Sequence, residues 1–111
     1  MDRFSKEHLA TYFQKWDAVK EEIENLYHNK GKEVTLLMEN AIRNYEELLE
    51  YGGSGFNKRS GKVEKFLLPL NGEERLQFVK ARIASHYAHI QLDALYTETK
   101  KKAARLSVTP R

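Results

Sequence analysis

Two histidines and an aspartate stand at positions 86, 89 and 93, inside the run ASHYAHIQLDALY. At 3.6 residues per turn, spacings of three and seven place His86, His89 and Asp93 one above another along a helix. Two imidazoles and a carboxylate are donors that zinc accepts, and imidazole is also the commonest general acid–base group. Nothing else in the chain completes either chemistry. A carboxylate-bridged dimetal bundle needs Glu-x-x-His on two helices. Three residues before His8, His28, His86 and His89 come Ser5, Asn25, Ile83 and His86. His-Glu-x-x-His is missing as well. These histidines therefore read as polar positions on the edge of a packed helix. A metal site through His86, His89 and Asp93 stays as an alternative, and no cofactor is expected.

Other reactive groups are excluded more simply. The chain has no cysteine, which removes disulfides, thiolate metal sites and thiol catalysis. The segment GGSGFNKRSGK, residues 52–62, ends in Gly61-Lys62 and invites comparison with a phosphate loop. It fails, because five residues separate Gly55 from Gly61 and Val63 follows the lysine. No strand is predicted to carry a nucleophilic serine. Glu21-Glu22 and Glu46-Glu47 read as solvated helix faces.

Charge is unevenly spread. The net +3 of the 111 residues divides into −4 over residues 1–50 and +7 over residues 51–111. Such a split either steers the basic half toward a polyanion or docks the two halves on each other. Two basic clusters stand out: Lys58, Arg59, Lys62 and Lys65, then Lys100, Lys101, Lys102 and Arg105. Converging in space, they would contact phosphates and bind nucleic acid without sequence preference. Cations near the end of a helix also complement its dipole, a structural reason for the second cluster.

The elements that must position these groups are helices. Leu9, Tyr12, Trp16, Val19, Ile23 and Leu26 step by three and four, predicting a helix over residues 5–29 with Ser5 as its cap. Val34, Met38, Ala41, Tyr45 and Leu48 repeat the pattern over 32–51, and Gly31 makes the pair an antiparallel hairpin. Residues 52–62 read as a flexible glycine-rich loop. Val63, Phe66, Leu67 and Leu68 suggest a turn or two of helix ended by Pro69. Asn71 and Glu74 suit a capping box opening a third helix with Leu76, Val79 and Ile83 inside. A break near Ala84-Ser85 precedes the last helix, which reaches about Arg105 with Tyr87, Ile90, Leu92, Ala94, Leu95 and Tyr96 on its apolar arc. Residues 106–111 read as a frayed tail. The fold expected is all-α, one domain over residues 1–111, an antiparallel four-helix bundle with the loop between helices 2 and 3.

The stretch PLNGEERLQFV followed by HYAHIQLDALYTE resembles the YpoC-like family of small bacterial proteins. Pro69, Asn71, Glu74, Arg75, His86, Tyr87, Ile90, Gln91, Leu92 and Leu95 carry the resemblance over roughly the C-terminal third, and Lys15-Trp16-Asp17 is compatible with it. It implies a small helical protein of the bacterial cytoplasm without an assigned reaction or catalytic residues. It also implies that Asn71, Arg75, His86, Tyr87 and Gln91 are the polar positions that matter, through core hydrogen bonding or through binding.

The function expected is a non-enzymatic interaction or scaffold protein, with a protein partner or a second copy of itself. Its motive is the supply of Tyr12, Phe13, Trp16 and Tyr45, more aromatics than a minimal core needs. A nucleic-acid-associated accessory role is the alternative, and the metal-binding bundle a second. No apolar run approaches the roughly 18 residues that span a bilayer, and MDRFSKEHLA lacks a secretory core, so a cytoplasmic protein without membrane contact is expected.

Overall fold

A computed structural model describes residues 4–29 and 31–108. Its elements in chain order are α1 (Lys6–His28), α2 (Val34–Gly52), β1 (Ser54–Asn57), β2 (Lys62–Lys65), α3 (Gly72–Ala81) and α4 (His86–Val108). The protein is mostly helical with a small antiparallel sheet, so the all-α expectation holds only for the helices.

Helix α1 starts where Ser5 accepts the His8 backbone N–H on its hydroxyl, the expected cap. Its buried side chains Leu9, Trp16 and Ile23 are seven apart, the seam read from sequence. On α2 the buried set includes Val34, Met38, Ala41, Tyr45 and Leu48, again as expected. Helix α1 packs on both α2 and α4, and α3 lies along α4. Phe13 meets Tyr96 while Glu24 meets His86, so α1 and α4 run antiparallel. One hydrophobic core draws on all four helices and on Leu67 of the connecting segment.

Its centre is a tyrosine-rich hydrogen-bonded layer. The Tyr96 hydroxyl donates to the Ala41 carbonyl at 2.6 Å and accepts from Asn44 at 2.9 Å. The Tyr45 hydroxyl meets Thr99 Oγ1 at 2.7 Å, and Thr99 donates onward to the Leu67 carbonyl at 3.0 Å. Burial raises the pKa of both tyrosines, keeping them neutral donors. Trp16 and Tyr45 are buried and Tyr12 and Phe13 pack against the core. The aromatics that had suggested a binding face are thus core material.

The reading of residues 52–62 as a flexible loop is corrected. Ser54–Asn57 and Lys62–Lys65 pair antiparallel, with Phe56 directly across from Val63. Two good strand formers face each other, and Gly53 and Gly61 serve the turns on either side. Gly53 (φ 80) ends α2, and Gly61 (φ 70) closes the tip by donating to the Asn57 carbonyl at 2.8 Å. Asn57 also takes the Arg59 N–H on its side-chain oxygen at 2.9 Å, a local bond that shapes the turn. Accordingly Val63 belongs to a strand, and no helix forms over 63–68.

Two further expectations change and one holds. Asn71 does not cap α3 with its side chain; it adopts the left-handed conformation at φ 56, and its carbonyl takes the Arg75 N–H at 3.0 Å. Helix α4 continues through Leu106 to Val108, so the expected tail begins later, and residues 109–111 lie outside those described. The chain does break before α4, where Ser85 Oγ accepts the Tyr87 N–H at 3.2 Å.

Candidate functional site

The buried stripe of α4 is Ala88, His89, Leu92, Leu95, Tyr96, Thr99 and Ala103. His89 is therefore on the inner face, 8% exposed, and not on a polar edge, whereas Tyr87 is 71% exposed and Ile90 points outward too. Leu92, Leu95 and Tyr96 lie on the seam as expected, and Ala88, Thr99 and Ala103, which large side chains do not mark, complete it.

His86 and His89 do converge, with Glu24 of α1. Their Nε2 atoms stand 2.7 and 3.0 Å from the same Glu24 oxygen, and His28 Nε2 approaches the other oxygen at 3.6 Å. Rings of Tyr27 and Trp16 pack beside them. Burial pushes the His89 imidazole down, with Glu24 and Asp93 opposing that, while the hydrogen bond from His86 holds the Glu24 carboxyl below its usual value. His89 Nδ1 is buried without a hydrogen-bond partner. Asp93 leaves the trio expected from sequence, since its carboxylate accepts the Trp16 indole N–H at 2.9 Å. Ligands about 2.1 Å from a tetrahedral zinc stand more than about 3.3 Å apart, so 2.7 and 3.0 Å are too short for two ligands of one ion; the first is a hydrogen bond and the second an ion-pair contact. Among the described residues no group of three or more His, Asp or Glu is arranged to hold a metal ion. The cluster fastens α1 to α4.

The other singled-out polar residues scatter. Arg75 donates to Gln91 at 2.9 Å and grips Glu98 with both terminal nitrogens, at 2.8 and 2.6 Å. That ion pair lifts the Arg75 pKa and lowers that of Glu98, and it ties α3 to α4. Glu24 and Glu98 were not anticipated; each is an ordinary helix glutamate whose partner lies far along the chain. Asn71 and Tyr87 join neither group.

What the fold does assemble is a groove of about 1510 Å³ between the hairpin, the Pro69–Gly72 turn and the last turns of α4. Arg59, Lys62 and Lys65 line it from the hairpin and Lys101, Lys102 and Arg105 from α4, with Asn71 also in the lining. The two basic clusters thus meet, minus two members. Lys58 is exposed but does not line the groove, and Lys100 lies over the Phe13 ring at 5.7 Å. Four carboxylates share the lining: Glu64, Glu73, Glu74 and Glu98. Glu98 is matched by the cation of Arg75, Glu64 accepts from the neutral amide of Asn57 at 2.6 Å, and Glu73 and Glu74 stand at the head of α3. Lys102 donates to the Leu68 carbonyl at 2.7 Å, and burial, with Arg105 beside it, pulls its pKa down. On the far side of Lys65 lies a smaller cleft between α2 and α3, where Lys80 pairs with Glu46 at 2.7 Å and Lys65 with Glu50. Those pairs join the acidic first half to the basic second, so docking uses part of the charge split.

These features define a small, mostly helical protein whose buried polar groups fasten its helices and whose cations gather in an open groove. The chain belongs to the YpoC-like protein family, whose model matches residues 6–111, far beyond the C-terminal third that carried the resemblance. No curated protein and no solved structure matches it. No helix among the described residues is long and apolar enough to cross a membrane.

Proposed function

We propose that this chain is a non-enzymatic accessory protein that works by binding, and that its groove takes a phosphate-rich polymer, nucleic acid. The observation that carries the reading is the convergence of two basic clusters, about 40 residues apart in sequence, on one groove. The protein-partner and nucleic-acid readings share the conclusion that the work is binding; the charge of this surface favours the polyanion. Against catalysis stands the use made of the reactive side chains: Glu24 holds His86 and His89, and Asp93 holds Trp16.

Fluorescence anisotropy of labelled DNA and RNA against the full chain tests this. Affinity should fall linearly in log–log terms with salt, by about 0.7–0.9 per phosphate neutralised. Lys62→Glu and Lys101→Glu should weaken binding, while Lys100→Glu, off the groove, should leave it nearly unchanged. No binding at low salt rejects the proposal.

A further inference from the structure

Cations alone do not account for what the groove exposes. Val63 and Leu70, both lining it, are 71% and 83% exposed, and Phe56, paired across the hairpin from Val63, is 65% exposed. Single bare apolar residues are ordinary on a surface. Here two of them line one basic groove, on the hairpin and on the turn before α3, and an aromatic ring is the cross-strand neighbour of one of the two.

We infer that the nucleic acid this groove takes is single-stranded, with bases laid on Phe56, Val63 and Leu70 and phosphates on Arg59, Lys62 and Lys101. The inference rests on the function proposed above and names its ligand more closely. A duplex keeps its bases stacked inside and presents mainly charged backbone, so bare apolar side chains would meet phosphate and sugar. A single strand offers base faces to stack, together with the same phosphates. Phe56 and Val63 share one face of a hairpin that also carries Arg59 and Lys62, so a ring for stacking and cations for phosphate belong to the same short hairpin. Glu73 and Glu74 at the head of α3 repel phosphate, which favours a backbone path over the cations of the hairpin and of α4.

The test measures anisotropy with oligo(dT), a mixed-sequence duplex and poly-glutamate against the full chain and a Phe56→Ala variant, whose exposed position leaves the core intact by circular dichroism. Oligo(dT) should bind tighter than the duplex and tighter than poly-glutamate. Phe56→Ala should weaken oligo(dT) by roughly fivefold to a hundredfold, the worth of one stacked base, with the salt slope retained. Equal affinity for strand and duplex, with Phe56→Ala without effect, overturns the inference and leaves the groove's affinity for nucleic acid standing. Poly-glutamate binding as tightly as oligo(dT) overturns the inference as well. Failure of both nucleic acids to bind at low salt overturns the proposed function with it.

Discussion

Trp16 stacks on Tyr96 with ring centroids 4.8 Å apart and planes 5° from parallel, and its indole N–H reaches Asp93 one turn away on α4. One side chain of α1 thereby fixes the depth and the register of α4. Trp16→Ala should cost about 3–5 kcal/mol, a large core truncation, whereas Asp93→Ala should cost about 1 kcal/mol, one hydrogen bond. Urea denaturation followed by far-UV circular dichroism measures both. An Asp93→Ala protein as stable as the parent would show that the bond sets no register.

The cluster around Glu24 predicts a loss of stability in acid. Burial lowers the His89 pKa in the folded protein, so the unfolded chain takes up a proton first as pH falls through about 6.5. Glu24 is also lowered, chiefly by its hydrogen bond with His86; its contribution is full above the ordinary carboxylate value and is lost as pH falls through the folded one. Both signs agree. Facing His89 are Glu24, Lys20, Asp93 and His86, so the imidazole meets charges of both signs. His89→Gln should flatten the decline between pH 7.5 and 5.5 while leaving the Glu24 part at lower pH. Thermal midpoints across a pH series decide it, and an unchanged slope in the variant would remove His89 from the account.

Helix α3 depends on a different fastening. The Arg75 fork holds Glu98, Gln91 and the Leu70 carbonyl together, and it is largely shielded from water. A planar bidentate donor is not replaced by an ammonium. Arg75→Lys should therefore lose most of what Arg75→Ala loses, about 1–3 kcal/mol, the cost of stranding partly buried acceptors. A double-mutant cycle with Glu98→Gln separates the pair from the rest. Full retention of stability in Arg75→Lys would refute the claim that geometry, rather than charge alone, holds α3.

How far these features could be read beforehand follows from where their causes lie. The seams of α1 and α2 were legible because Leu9, Trp16 and Ile23, or Val34, Met38 and Tyr45, are large and apolar at regular spacing. The inner face of α4 was legible in part: Leu92, Leu95 and Tyr96 lie on it as expected, but Ala88, Thr99 and Ala103 complete it while the larger Tyr87 and Ile90 point outward. The hairpin was hidden by its own glycines, which weigh toward loop although Phe56 and Val63 pair at the register that Gly61 permits. Glu24 and Glu98 meet partners 62 and 23 residues away, and no local spacing encodes such contacts. The groove sat between. Its two basic clusters were visible, and the fold supplied the proximity that sequence left conditional.

A glycine at the end of α2 links the core to the hairpin. A Cβ on Gly52 would stand 2.6 Å from Leu67 Cδ1, and Leu67 is fully buried, with its carbonyl accepting the Thr99 hydroxyl. Gly52→Ala should cost about 1–3 kcal/mol by overpacking, although alanine is the better helix former.

At the hairpin tip, Gly61 has open space around it but a φ of 70, so a side chain there meets backbone strain and no neighbour. Gly61→Val should loosen the tip by about 1–2 kcal/mol, since a β-branched residue resists the left-handed region. The helical core does not depend on that turn, so its thermal midpoint should hardly move. Hydrogen exchange should rise at the Gly61 amide and across the β1–β2 ladder and stay low at Tyr45 and Tyr96. Because Arg59 and Lys62 flank the tip, nucleic-acid affinity should fall in the same variant. A Gly61→Val protein with a slowly exchanging hairpin would show that the turn tolerates the strain. One with a loosened hairpin and undiminished binding would move the binding surface away from the tip, onto Lys101, Lys102 and the end of α4.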